Sequence, residues 1–385
     1  MASLQEQISP STDDVTASAI AGERQRPGRG NGLPDRDRDT GSIRWAMPPV
    51  LRAEPFRPAS AADRARAAEV VRRHGNDTLS YFSLRDTGCY VFNEDRTAFL
   101  SFKAWHGVAV VGADPIGPRE ALPDLIAGFL QRCRNQRLTP CFLGISGENL
   151  PTYRSLGLRV LKIGEECILR LPDFEVSRLR RKVRRAERHC LALGTGFRMC
   201  RSGELGRAER EAADCVSREW LHDKGGSEHG FSMTLGRFPR PEDEDVRVAF
   251  AIQDGRVSGF LTFVPVYGTR GWSLDMMRRR RDSPNGLTEF LILQSARVLQ
   301  SEGWDFISLN FAALSNTKPV PEPKALTALR TLAFERLSWL FQLKSLYTFN
   351  DKFRPHWVTR YAAYRDLAKV PLITLAIIQA EDKLF

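Results

Sequence analysis

The stretch Trp272-Ser-Leu-Asp275-Met-Met-Arg278-Arg-Arg-Arg-Asp-Ser-Pro-Asn285-Gly286 runs into Leu287 to Leu299 and then into Phe306-Ile-Ser-Leu-Asn310-Phe-Ala. Its periods read as a strand, a basic turn of phosphate size, an amphipathic helix and a second strand. Asp275 and Arg278 fall near the C-terminal end of the first strand, and Asn310 lies on the second. Open α/β sheets keep their chemistry at such strand ends, which makes these three the first candidates for a site. A structural ion pair would place Asp275 and Arg278 in the same way.

N-terminal to this element, Gly196 to Cys200 reads as a strand, Leu205 to Lys224 as a helix, and Val246 to Ile252 with Val257 to Val266 as a hairpin. Before them lies a helical run from Ser177 to Leu193 that is densely cationic: Arg178, Arg180, Arg181, Lys182, Arg184, Arg185 and Arg188. Leu179 and Val183 give it an inward face, and Glu187 is almost its only anion. Like charges four apart repel, so such a helix is costly unless an anion neutralises it. Phosphates of RNA or of lipid headgroups fit that demand.

Earlier still, a helix over Ala61 to Arg73 and short strands at Cys89 to Phe92, Thr97 to Phe102 and Val108 to Val111 lead to Gly112-Ala-Asp114-Pro-Ile-Gly117. That turn reads either as a substrate-facing loop or as one fixed by Asp, Pro and Gly backbone preferences. A helix from Glu120 to Cys133 and strands at Cys141 to Ile145 and Cys167 to Leu171 complete a first α/β unit. Residues 1–60 are rich in Arg, Asp, Gly, Pro and Ser and are expected to form a disordered basic leader. Domains are expected at 61–176 and 177–385, the second opening with the basic helix. The apolar run Val370 to Ile378 is too short to span a bilayer; it could lie in the membrane interface, and a helix packed on the second domain is the expectation.

At 385 residues and 42% apolar composition, the chain can fill two or three cores of about 150 residues each. A net charge of +11 favours a polyanionic partner without choosing between nucleic acid and membrane. The seven cysteines show no CxxC pairing and read as reduced thiols. The six histidines form no triad or metal-ligand set, and His356 alone is a weak general-base candidate. No metal site, serine-hydrolase elbow or Walker loop is recognisable.

SLDMMRRRRDSPNGLTEFLI followed by ISLNFAALS resembles the signature of the aminoacyl-phosphatidylglycerol synthase (phosphatidylglycerol lysyltransferase) catalytic-domain family, in its actinobacterial form. Gly112-Ala-Asp-Pro-Ile-Gly117, Lys162-Ile-Gly-Glu-Glu166, Gly230 to Phe238 and Ser345 to Trp357 are similar to further motifs of that family, and the resemblance covers roughly residues 62 to 383. It implies an α/β fold of two tandem acetyltransferase-like (GNAT) domains. It also implies transfer of an aminoacyl group, lysyl favoured, from charged tRNA to a hydroxyl of a membrane lipid, phosphatidylglycerol favoured. No cofactor is needed, because aminoacyl-tRNA is the co-substrate and its ester supplies the driving force.

From the resemblance, Asp275, Arg278 and Lys352 are expected to be catalytic: Asp275 fixes the ammonium of the aminoacyl group and Arg278 binds lipid phosphate or developing negative charge. Lys162, Glu166, Asn285, Gly286 and Asn310 are expected to bind substrate, and Arg178, Arg181, Lys182, Arg184, Arg185 and Arg188 to bind tRNA or another phosphate. The implied partners are aminoacyl-tRNA and an anionic membrane lipid, with a separate flippase or aminoacyl-tRNA synthetase left open. The implied location is the cytoplasmic face of the plasma membrane, held peripherally. Aminoacylation of another lipid such as diacylglycerol, acyl-CoA-dependent acyl transfer and a non-catalytic RNA- or membrane-binding module remain alternatives. Pro284 and the loss of most glycines from the turn before the helix weigh against CoA.

Overall fold

A computed structural model of the protein describes residues 56–223, 233–313 and 346–380. Most of the expected leader, the proline-broken loop at Pro319 to Glu322 and the helical runs expected between Ala325 and Phe341 lie outside the described residues.

Among the described residues eleven strands form one mixed sheet. In chain order they are β1 (Cys89–Phe92), β2 (Phe99–Trp105), β3 (Val108–Gly112), β4 (Thr139–Ile145), β5 (Arg159–Arg170), β6 (Gly196–Arg201), β7 (Arg247–Gln253), β8 (Arg256–Val266), β9 (Gly271–Arg279), β10 (Phe306–Ala313) and β11 (His356–Tyr364). Their spatial order is β1-β2-β3-β4-β11-β5-β10-β9-β8-β7-β6. Only two neighbouring pairs are parallel, β3 with β4 and β9 with β10. Each pair is joined by a crossover helix, α2 (Leu122–Asn135) in the first case and α6 (Leu287–Ser301) in the second. Both halves of the sheet therefore carry the same βαβ unit, since parallel neighbours need such a crossover.

The halves meet through strands distant in sequence. β5 pairs antiparallel with β10, and β11 fits between β4 and β5. β5 begins at Arg159, well before the strand expected from Cys167, so Lys162 and Glu166 lie mid-strand. The sequence obscures this start because its first five residues are at best half-buried and carry Arg159 and Lys162.

Strand alternation assigns the two faces of β6–β9. Ala249, Ala251, Leu261, Phe263 and Leu274 pack under α6 and α4 (Arg181–Ala192). Val248, Phe250, Phe260 and Met276 pack under α5 (Arg207–Asp223). The final helix α7 (Val370–Ala380) departs from expectation. Its Ile373, Ala376 and Ala380 cover Val108, Val110, Cys141 and Tyr364, a face of the first half of the sheet. The reason is β11, which carries the chain back beside β4 before α7 begins. Among the described residues no helix is long and apolar enough to cross a membrane.

Candidate active site

β9 bulges at Asp275: Thr262 of β8 pairs with Met276 and Phe263 with Leu274, leaving Asp275 as the extra residue. Alternation from Leu274 puts its carboxylate on the α5 face, the bulge brings Met276 and Arg278 to that same face, and three donors meet the carboxylate there. Thr234 Oγ1 and the Leu235 N–H donate to Oδ1 at 2.7 and 2.9 Å, and Thr262 Oγ1 donates to Oδ2 at 3.0 Å. Burial pushes the carboxyl up to about 6, while these hydrogen bonds and the charge of Arg278 pull in the opposite direction. Arg278 is also buried, with its guanidinium 3.9 Å above the Trp220 ring of α5.

β9 and β10 pair from Gly271 and Phe306 as far as Ser273 and Ser308, and β10 breaks register with β5 just beyond. Asn310 stands in that irregularity with φ at +74°, a left-handed conformation that Asn tolerates better than most residues. Its Nδ2 donates to Met233 O at 2.7 Å and to Leu274 O at 3.2 Å. Asp275 and Asn310 thus grip the same loop, residues 233–236, from two strands.

Behind Asn310 runs a buried polar chain. Ser308 Oγ accepts from the Asn310 N–H and donates to Glu166 Oε1. Glu166 Oε2 accepts from Arg360 Nε and Nη2 at 2.8 and 2.6 Å. The remaining Arg360 donors reach Asp77 Oδ2 at 2.6 Å, Thr78 Oγ1 at 2.7 Å and Gly144 O at 3.3 Å. All five guanidinium N–H groups are therefore used, and the side chain ties β11 to β4, β5 and the turn after α1 (Ala61–His74). Arg360, Asp77, Thr234, Thr262, Ser308 and Trp220 were not candidates from sequence. Thr234 and Ser308 had a signal, as parts of the Gly230 to Phe238 motif and of ISLNFAALS.

Lys352 lies apart from Asp275 and Arg278. Its Nζ donates to Glu289 Oε1 at 2.8 Å in the first turn of α6 and sits 4.7 Å from the Phe349 ring centroid, on the α6 face. Lys162 forms an ion pair with Glu165 at 2.7 Å. Asn285 is exposed at the start of α6. Gly286 is its N-cap, with φ +89°, and a Cβ there would come within 2.5 Å of the Ala186 Cβ. That glycine lets α4 approach α6 closely.

In the basic turn, Arg280 is buried and bonded to Glu219 Oε2 and Val257 O, while Arg279 and Arg281 stay exposed. In α4, Val183, Ala186, Glu187 and Cys190 are buried, and Arg181, Lys182, Arg184, Arg185 and Arg188 are exposed. Arg178 precedes the helix, exposed and paired with Glu175 at 3.1 Å. Asp114 is buried in its turn. Tyr153 Oη and the Ser146 N–H fix its carboxylate, and the turn also borders a polar cavity of about 240 Å³ with His74, Asp77 and Thr269.

Residues 68–364 match the family model described as phosphatidylglycerol lysyltransferase, C-terminal. The chain belongs to this family. It is 35% identical over 312 residues to the lysylphosphatidylglycerol biosynthesis bifunctional protein LysX of Mycobacterium avium, covering 80% of this chain and 26% of that protein. The corresponding protein of Mycolicibacterium gilvum is 34% identical over 313 residues, covering 80% and 28%. This member of the family thus spans about a quarter of the length of those relatives. Its fold is shared with L-PGS from Bacillus licheniformis, at a TM-score of 0.74 and 23% identity, covering 86% of this chain and 99% of that one. It is also shared with the C-terminal domain of a putative lysylphosphatidylglycerol synthetase from Agrobacterium fabrum, at 0.71 and 24%, covering 84% and 98%.

Proposed function

We propose that this family member transfers an aminoacyl group from aminoacyl-tRNA to phosphatidylglycerol, with lysine as the amino acid. The lipid hydroxyl oxygen attacks the ester carbonyl. A new C–O bond forms to the lipid, the bond to the ribose oxygen breaks, and the hydroxyl proton ends on that departing oxygen. Ester replaces ester, so the step needs positioning and charge stabilisation rather than an energy source.

The observation that carries the reading is the cluster at the parting of β9 and β10, where Asp275, Asn310 and residues 233–236 interlock beside Arg278. A carboxylate has about four acceptor positions. Three on Asp275 are taken, which leaves one on Oδ2 for an ammonium of the aminoacyl group. Arg278, held 3.9 Å over the Trp220 ring, supplies a positioned guanidinium for the lipid phosphate or the oxyanion. Lys352 and Glu289, on the other face, hold the start of α6, and the exposed cations of α4 form a phosphate-binding surface. In this reading the protein works peripherally at the inner face of the membrane.

Incubation with a set of radiolabelled charged tRNAs and phosphatidylglycerol vesicles tests it. Lysyl label should appear in the lipid fraction, and Asp275→Asn and Arg278→Ala should each abolish most of it. Label from another amino acid would correct the donor. No lipid label from any charged tRNA would remove the reading.

A further inference from the structure

We propose that the outer face of α4, ending in Leu191 and Leu193, docks the protein on the surface of an anionic bilayer. Five cations, Arg181, Lys182, Arg184, Arg185 and Arg188, are exposed on this helix. Among the described residues no carboxylate pairs with any of them. Glu187, the one anion of the helix, is buried and turned to Arg297 and Gln294 of α6.

Charge alone would suit RNA equally well; the apolar end decides. Leu191 is 54% exposed and Leu193 45%, and among the described residues the only other exposed large hydrophobic residues are Val358 and Leu375. Aliphatic side chains at the tip of a cationic helix match a bilayer interface, where phosphate headgroups take the cations and the acyl boundary takes the leucines. A tRNA stem, bound through its phosphates and 2′-hydroxyls, would use the cations and leave the leucines in water.

Docking this face turns the α6 side of the sheet, opposite the Asp275 and Arg278 cluster, toward the lipid. Ala186 abuts Gly286 at the start of α6. Arg180, just before α4, is ion-paired with Asp351, and its N–H donates to Lys352 O at 3.1 Å. The Lys352–Glu289 pair would then lie on the bilayer side of the sheet. The purpose of the docking rests on the proposed lipid reaction, but its physical basis does not.

The test is co-sedimentation of the full chain with vesicles of phosphatidylcholine alone or mixed with phosphatidylglycerol, alongside retention of uncharged tRNA. The protein should bind the mixed vesicles and not the neutral ones. Leu191→Ser with Leu193→Ser should weaken vesicle binding roughly ten- to thirty-fold, from the apolar area lost, and leave tRNA retention unchanged. Arg184→Glu with Arg188→Glu should weaken it by more than about twenty-fold. All four side chains are exposed, and unchanged thermal melting will confirm that the variants fold.

The proposal fails if the wild type ignores mixed vesicles, or if the leucine variant binds them as tightly as the wild type. It also fails if the arginine variant loses tRNA while keeping vesicles, which would make α4 an RNA surface. Release by inorganic phosphate but not by chloride at equal ionic strength would indicate a free-phosphate site and likewise overturn it. Binding needs no turnover, so intact docking without aminoacyl transfer sinks only the reaction. Transfer to detergent-dispersed lipid by a chain that does not bind vesicles sinks only the docking.

Discussion

The polar chain from Asp77 to Asp275 and the basic helix α4 are both rich in charge, yet they treat charge in opposite ways. In the first, Arg360 is 4% exposed and spends every donor on protein acceptors, and Glu166 is 1% exposed with both oxygens occupied. In the second, five cations face water with no carboxylate partner among the described residues. A charge withdrawn from water is tolerated only when its partners are fixed, so the first region holds geometry. A charge left in water without a partner costs the fold little and remains available to something outside it. Perturbing the first region should therefore move stability and turnover together, whereas perturbing the second should move association and change stability only slightly.

The most severe test is Arg360→Ala. It leaves Glu166 and Asp77 without their cation in the interior and should cost about 3–5 kcal/mol in urea unfolding, the usual penalty for breaking a buried charged pair. Arg360→Lys should recover only part of this, since an ammonium has three donors where the guanidinium has five. A loss below about 1 kcal/mol for Arg360→Ala would mean that this buried polar network does not hold the strands together.

Next in size is the pH dependence set by Asp275. Its folded carboxyl keeps its proton to about pH 6, against an ordinary value of 3.8. Across that window the native state binds more protons than the unfolded state, so stability should fall as pH rises, by about 3 kcal/mol from this group. Turnover should move the other way, because an ammonium needs the ionised carboxylate: kcat/KM should show an acid limb near pH 6. Asp275→Asn should remove its share of the stability slope and lower kcat/KM by roughly 10²–10³. Unfolding midpoints that are the same for both proteins at every pH would contradict this assignment.

What the sequence disclosed divides along the same line. The strand–turn–helix–strand element was legible because its periods are local, and α4 was legible because seven cations in eleven residues, Arg178 to Arg188, have no ordinary role on a solvated helix. Asp275 and Arg278 were picked out as strand-end residues and Asn310 as lying on the next strand, though nothing in the spacing foretold the bulge that brings Arg278 to the face of Asp275. Arg360 went unread because a lone arginine in Val-Thr-Arg-Tyr looks like a surface residue. Its burial follows from β11 pairing with strands about two hundred residues earlier, and short-range patterns carry no record of such pairing. Lys352 was grouped with Asp275 by motif alone, and the sheet puts the two on different faces.

A smaller effect is expected at Trp220. Removing the ring under Arg278 by Trp220→Ala should take away a cation–π contact of about 0.5–2 kcal/mol and loosen the guanidinium. Transfer should then fall through kcat more than through KM, because binding is shared with other contacts while charge stabilisation depends on where the guanidinium sits. A change confined to KM would point to a ground-state role for Arg278.

The smallest expected change is also the most discriminating for α4. Arg184 and Arg188 are four apart on its exposed face, and their repulsion is a cost the fold carries on its own. Arg184→Glu replaces that repulsion with an acid placed N-terminal to a base at the same spacing, the better orientation of the pair. Thermal unfolding at low salt should therefore show a gain of about 0.3–0.8 kcal/mol that fades as salt is raised. A helix whose cations served the fold would lose stability on the same change. A gain in stability joined to a loss of vesicle binding would show that the arginines are kept for a partner, at the expense of the helix that displays them.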